Sequence, residues 1–270
     1  MPAEPVDFVR TGSGPPLLLL HGIGHRWQAW EPVLDLLAAH HDILALDLPG
    51  FGRSPVPPGG MPRDVPSVAA LVAGFAASQG LRRPHVAGNS LGGAIALELA
   101  AAGHAASATA ISPAGFGTRL GRVRGIGTLA ALRTATFLPI PAIRGALRFR
   151  VLRAVCFGPL VAHPSRLTVD RMLGDALAFR RGRGFWPAAR AAYAYRLTAE
   201  SAVPVTVAWA ERDRINPLAQ SGRARARLPA ARHVVLDDCG HVPMSDDPNL
   251  VAATILATTG VVSSGSAGPA

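Results

Sequence analysis

The chain contains no lysine; all 27 of its basic residues are arginines. It has only two cysteines, Cys156 and Cys239, which make neither a disulfide framework nor a Cys-x-x-Cys metal or redox pair. Charged residues are scarce at 16% while hydrophobic residues reach 49%, a balance that excludes a wholly disordered chain. Long apolar runs are also missing. The longest purely aliphatic stretch, Leu17 to Leu20, falls far short of the roughly 20 residues that cross a bilayer. The opening MPAEPVDFVR has no basic start and no apolar core of the kind a secretion signal carries. These absences lead to the expectation of a soluble, cytoplasmic protein. Its 270 residues suit one domain, or one domain carrying an insertion. A chain of that length buries about three quarters of its unfolded surface and needs no disulfides for stability.

The net charge of +10 is unevenly placed. Between Ala114 and Leu197 lie 15 arginines against two acids, Asp170 and Asp175, a local net of +13. The remainder carries 12 arginines against 15 acids, a net of −3. Arginine in place of lysine fits a base-composition effect, since alanine and glycine are also abundant. Such an effect does not explain the segregation.

Short apolar runs and helical patterns alternate through the first part of the chain. The runs are 16–20, 43–47, 84–88 and 108–111, each apolar nearly throughout, as in strands buried on both faces of a parallel sheet. Helical patterns near 29–40, 67–79 and 91–102 lie between them. The alternation stops after Pro113 and resumes with a strand at 203–209, a helix near 217–228, a strand at 233–236 and a helix near 247–258. This order predicts an α/β fold: a mostly parallel central sheet with helices on both faces. The predicted core is 1–113 and 203–262, interrupted by an arginine-rich helical insertion at 114–202. The Pro/Gly-rich run from Pro55 to Pro66 reads as a surface loop, and the tail 263–270, SGSAGPA after Ser263, as disordered.

Gly88-Asn89-Ser90-Leu91-Gly92 fits Gly-x-Ser-x-Gly. In a chain with 29 glycines the match alone is weak, and an ordinary glycine-rich turn explains it equally well. Its setting, between an apolar run and an alanine-rich helical pattern, is the strand–turn–helix context the motif requires. A serine hydroxyl needs a base to become a nucleophile. In this architecture the order is Ser, acid, His, and Asp213 and His241 follow Ser90 in that order, each just past a predicted strand. His241 would take the Ser90 proton, and Asp213 would hold the imidazole in the right tautomer. His21-Gly22-Ile23-Gly24 follows the first predicted strand as an oxyanion loop does. The backbone N–H groups of Ile23 and Leu91 are the candidate oxyanion donors, with His21, Gly22, Gly88 and Gly92 as supporting residues.

The blocks LLLLHGIG, DLPGFGRSP, VAGNSLGGAIALELA, VAWAERDRINP and CGHVPMSDDP together resemble the α/β-hydrolase fold superfamily, in family order across the chain outside its central segment. The resemblance implies a Ser/Asp/His serine hydrolase, cleaving an apolar carboxylic ester or related acyl compound through an acyl-enzyme. It makes the segment 114–202 a cap, or lid, over the active site, and calls for neither metal nor organic cofactor. Haloalkane dehalogenases and epoxide hydrolases of this fold carry aspartate where Ser90 stands, so those chemistries are disfavoured. The Gly-Asn-Ser-x-Gly-Gly elbow also resembles carbon–carbon bond hydrolases of ring-cleavage products. Those typically have a glycine-richer loop than Ile23-Gly24-His25 and a tryptophan in place of Val242. Perhydrolase activity shares the same triad.

The arginines between Thr118 and Leu160 alternate with Leu, Ile and Phe. Three readings fit: a solvated face whose arginine stems cover apolar surface, an anionic lipid surface as partner, or an acidic substrate drawn to the cleft. No recognition motif points to nucleic acid. A non-catalytic lipid-surface module on the same scaffold is a further alternative, one that gives no reason to keep the three residues together. Gly125-Ile126-Gly127-Thr128-Leu129-Ala130 fits a dinucleotide motif, but no strand precedes it. His40-His41 reads as a helix-end pair, and Cys239 as a small buried packing residue.

Overall fold

The apolar runs form strands because each is short, continuous and flanked by turn residues, and their alternate side chains feed two separate cores. The computed structural model describes residues 6–197 and 200–260. Seven strands make one sheet: β1 (Phe8–Thr11), β2 (Pro16–Leu20), β3 (Asp42–Leu46), β4 (His85–Asn89), β5 (Ser107–Ile111), β6 (Val205–Ala210) and β7 (Arg232–Leu236). They stand in the order β1-β3-β2-β4-β5-β6-β7, and all neighbours are parallel except β1 against β3. Leu18 and Leu20 pack into one core and Leu17 and Leu19 into the other, the period of two that a strand imposes.

Helices α1 (Glu31–Ala38), α2 (Val65–Ser78), α3 (Leu91–Ala101), α9 (Ser221–Arg227) and α10 (Pro248–Thr259) connect or follow these strands. Their starts carry local signals. Asp64 accepts from Ser67 N–H at 2.8 Å at the head of α2, and Asp247 accepts from Leu250 N–H at 2.9 Å at the head of α10. The proline-rich loop is shorter than its sequence implies, because Pro66 sits in the first turn of α2, where its missing N–H costs nothing.

Between β5 and β6 the described residues contain no strand. They form α4 (Arg119–Ala135), α5 (Ile140–Ala146), α6 (Arg150–Phe157), α7 (Val169–Arg181) and α8 (Phe185–Ala194). Backbone hydrogen bonds tie this segment down: Gly184 N–H donates to Gly50 O (2.9 Å) and Val242 N–H to Leu160 O (2.8 Å). The dinucleotide-like motif lies inside α4, where Gly125 serves close packing. A Cβ there would come within 2.8 Å of the Ile215 carbonyl.

The strand β1 is absent from the sequence reading. As an antiparallel edge strand, Phe-Val-Arg-Thr alternates exposed and half-buried positions and never makes a continuous apolar run. The other six strands fall within two residues of their expected positions. The tail 263–270 lies outside the described residues.

Candidate active site

The carboxyl ends of β2, β4, β6 and β7 face one edge of the sheet, and the loops leaving them carry His21-Gly22-Ile23, Ser90, Asp213 and His241. Parallel pairing does this. Each strand delivers its outgoing loop to the same edge, so residues far apart in sequence meet there.

Ser90 occupies the turn between β4 and α3 with φ 58° and ψ −112°, a conformation L residues rarely adopt, at a cost of about 1–3 kcal/mol. The surroundings hold it there. Its N–H donates to Ile111 O (2.9 Å), and its carbonyl accepts from Ala94 N–H (3.1 Å) and Ala114 N–H (3.0 Å). The flanking glycines are obligatory. A Cβ on Gly88 would fall 2.1 Å from Gly92 O, and one on Gly92 would fall 2.1 Å from Leu20 O. Leu91 opens α3, so its N–H is among the helix donors without an intrahelical acceptor.

Asp213 and His241 meet. Asp213 Oδ2 lies 2.7 Å from His241 Nδ1, and both side chains are buried. The other carboxylate oxygen, Oδ1, accepts from Ile215 N–H (2.8 Å) and Asn216 N–H (2.7 Å), which locks the carboxylate plane. With Nδ1 turned to Asp213, Nε2 is left for the cavity that Ser90 and His241 share.

His21 is fully buried and takes a structural part. Its Nδ1 lies 2.7 Å from Gly22 O, and its Nε2 accepts from Leu48 N–H at 2.9 Å. This arrangement requires a neutral ring protonated at Nδ1, and burial pushes its pKa down to about 3. The result is a rigid turn beneath the next residues. A Cβ on Gly22 would lie 3.1 Å from Ser90 Cβ, so the loop bearing Ile23 is pressed directly against the serine.

The cavity above Ser90 holds about 1170 Å³ of empty space, counted out into its mouth. Its floor includes Gly22, Ile23, Asn89, Ser90 and His241, and most of its wall is apolar and comes from α4 to α7: Leu129, Leu132, Ile143, Leu147, Phe157 and Phe179 among others. Cys239 is buried away from this space, and burial lifts its thiol to about 12, consistent with packing alone. His41 is likewise structural, lying 2.9 Å from Pro15 O and 3.0 Å from Thr259 Oγ1 just past the end of α1.

Sequence reasoning missed two residues that position the site. Asn89 Nδ2 donates to His241 O (2.8 Å), tying the serine turn to the histidine loop. The buried Asp246 carboxylate accepts from Gly240 N–H (2.8 Å), Ala162 N–H (2.9 Å) and His163 N–H (2.9 Å), which joins the histidine loop to the stretch between α6 and α7. Both stand inside motif blocks, but the partners that make them cross-links, His241 for Asn89 and Ala162 and His163 for Asp246, lie far away in the chain.

The strand order, the serine turn and the histidine–aspartate pair define an α/β-hydrolase fold. The chain belongs to the Alpha/beta hydrolase family, whose profile it matches over residues 17–254. It is 30% identical, over 264 residues, to the dihydrolipoyllysine-residue acetyltransferase component of the acetoin cleaving system of Cupriavidus necator. That match covers 90% of this chain and 63% of the relative, so the chain spans less than two thirds of the relative's length. Among solved structures it superposes on a bacterial membrane phospholipase A with a TM-score of 0.74 and 26% identity, over 95% of this chain and 83% of the other. A thermophilic esterase from Thermogutta terrifontis gives a TM-score of 0.70 at 22% identity, over 93% and 91%.

Proposed function

We propose that the protein is a serine hydrolase that cleaves an apolar carboxylic ester or related acyl compound through an acyl-enzyme. The observation that carries this is the buried 2.7 Å contact between His241 and Asp213 beside a serine held in a strained turn on the same cavity. Ser90 Oγ attacks the carbonyl carbon while His241 Nε2 takes its proton. Asp213 holds the ring and stabilises its charged form. The backbone N–H groups of Ile23 and Leu91 receive the oxyanion, each contributing about 2.7–4 kcal/mol in the transition state. His241 returns the proton to the leaving alcohol, and water then resolves the ester on Ser90 with His241 as base again. Residues 114–202 act as a cap over the core formed by 1–113 and 203–262. The apolar wall the cap lends to the cavity favours an acyl chain.

A second reading concerns the partner of the cap. Of fourteen large apolar side chains exposed among the described residues, ten lie between Leu120 and Trp186, in the arginine-rich segment. That pairing of exposed apolar and basic residues supports docking on an anionic lipid surface.

Purified wild type and Ser90→Ala are compared on p-nitrophenyl esters of increasing acyl length and with a fluorophosphonate label. Turnover and labelling lost together in the variant is the expected result. No labelling of folded wild type refutes the nucleophile, and labelling without ester turnover redirects the search to carbon–carbon bond substrates.

A further inference from the structure

A second, smaller cavity shares Ser90, Ile23 and Leu129 with the main one and holds about 420 Å³ of empty space, counted out into its mouth. Its border contains no carboxylate. It does contain Arg122, from the first turns of α4, together with Asn216 and Gln220. The Nε and Nη1 atoms of Arg122 are buried and without a hydrogen-bond acceptor. Two other arginines also have a buried unpaired Nε, but each is held elsewhere. Arg26 forms an ion pair with Asp175 at 3.9 Å, and Arg133 donates to the carbonyls of Arg180 and Gly182. Arg122 has neither kind of partner among the described residues; its guanidinium carbon lies 5.4 Å from the centre of the Tyr193 ring. Buried guanidinium N–H groups without acceptors are costly, so a site that keeps them is built to receive an acceptor. Gly117 keeps the space clear, since a Cβ there would come within 3.0 Å of Arg122 Cγ and 3.2 Å of Gln220 Oε1.

We propose that this cavity is a carboxylate subsite, in which Arg122 grips a carboxylate carried by the same molecule whose scissile carbonyl lies at Ser90. One planar cation in a small cavity matches one planar monoanion, and Gln220 offers an amide group beside it, while the Asn216 amide nitrogen already donates to Ser112 O at 3.0 Å. The substrate class is thereby narrowed to half-esters of short dicarboxylic acids, or to acyl compounds with a carboxylate close to the cleaved bond. The substrate assignment rests on Ser90 being the nucleophile. The anion site itself does not.

The test separates the two. Ser90→Ala and the double variant Ser90→Ala/Arg122→Met are titrated calorimetrically with monoethyl glutarate and with ethyl pentanoate. The half-ester is expected to bind Ser90→Ala about 10- to 100-fold more tightly than the neutral ester, the range for a charge-assisted, forked contact. Arg122→Met is expected to abolish that preference, and Arg122→Lys, which keeps the charge but not the fork, to retain part of it. Arg122→Gln replaces Arg122→Met if the latter does not fold. Equal affinity for the two ligands, no binding of the half-ester, or a preference that survives removal of the guanidinium overturns the proposal. Ethanol release by wild type is followed in parallel. An Arg122-dependent preference without ethanol release upholds the anion site and overturns the half-ester as substrate, and the fluorophosphonate label then decides separately whether Ser90 is the nucleophile.

Discussion

At the scale of single residues, the hydrogen bonds of the Asp213–His241 pair and of His21 each fit one tautomer of the ring, and this makes conservative substitutions informative. In Asp213→Asn the side-chain oxygen can still accept from Ile215 and Asn216 N–H, but the amide then faces His241 Nδ1. The ring must accept at Nδ1 and carry its proton on Nε2, the tautomer that cannot deprotonate Ser90. We expect kcat to fall by about 10⁴-fold with little change in Tm, measured on the best p-nitrophenyl ester. His21 yields a pH prediction. It is neutral in the folded state with its pKa near 3, against 6.5 for an ordinary histidine, so below pH 6.5 the unfolded chain binds the extra proton. The stability it contributes is complete above pH 6.5 and is lost progressively as the pH falls towards 3. The loss is on the order of 5 kcal/mol at most. His25, lowered by burial, adds in the same direction, whereas Asp47, raised by burial, opposes it around its own titration. Urea unfolding between pH 7 and 3.5 checks this. His21→Gln should be less stable at pH 7 and show a flatter dependence. Ser90, Asp213 and His241, the proposed nucleophile, acid and base, could be picked out in the sequence because each follows an apolar run in an order the topology sets. Asn89 and Arg122 could not, because what defines them is a partner 152 residues away in one case and, in the other, guanidinium N–H groups without an acceptor among the described residues.

At the scale of elements, the histidine loop depends on a carboxylate that the reading of motifs passed over. Asp246 gathers three backbone N–H groups from two segments, and its own carbonyl accepts from Arg166 Nη1 at 3.0 Å. Replacing it by alanine leaves buried donors unpaired, each worth about 1–3 kcal/mol. We expect Asp246→Ala to lose about 3–5 kcal/mol in urea unfolding and to lower kcat more than Asp246→Asn, which keeps one acceptor oxygen. The same contact explains why the helical segment could not be oriented from sequence. Two of its anchors, Gly184 to Gly50 and Val242 to Leu160, are backbone contacts that any residue could make, and the third is the Asp246 carboxylate, to which Ala162 and His163 offer only their backbone N–H groups. Several of its arginines also turn out to be structural. Arg171 bonds Glu31, the Gln28 carbonyl and Asp175, fastening α7 to the start of α1. No charge count distinguishes such an arginine from a solvated one.

At the scale of the whole molecule, charge and exposed apolar surface coincide. The helical segment holds a net +13 on a remainder of −3, and α6 turns apolar residues both ways. Phe157 and Cys156 line the cavity, while Val151 and Val155, just after Phe149 and Arg150, stand 73% and 64% exposed. A helix facing only water gains nothing from valines on its outer face. On an anionic bilayer those valines enter the acyl boundary, and nearby arginines gain about 1 kcal/mol each from the surface potential. Such docking would place the cavity wall of α6 next to lipid, shortening the path of an apolar ester to Ser90. Phosphatidylcholine vesicles with and without phosphatidylglycerol distinguish this from a merely solvated basic face. At low ionic strength we expect co-sedimentation with the anionic vesicles only. It should weaken steeply towards 1 M salt, where the screening length shrinks from about 10 Å at 0.1 M to about 3 Å. Val151→Asp/Val155→Asp removes the apolar contribution and lowers the net charge by two units, so it should reduce binding well beyond what Arg119→Gln/Arg124→Gln, with the same change of charge, does. If the two variants bind equally, electrostatics alone accounts for the association. If wild type does not sediment even at low salt, the exposed valines have no lipid partner and the basic face is only solvated.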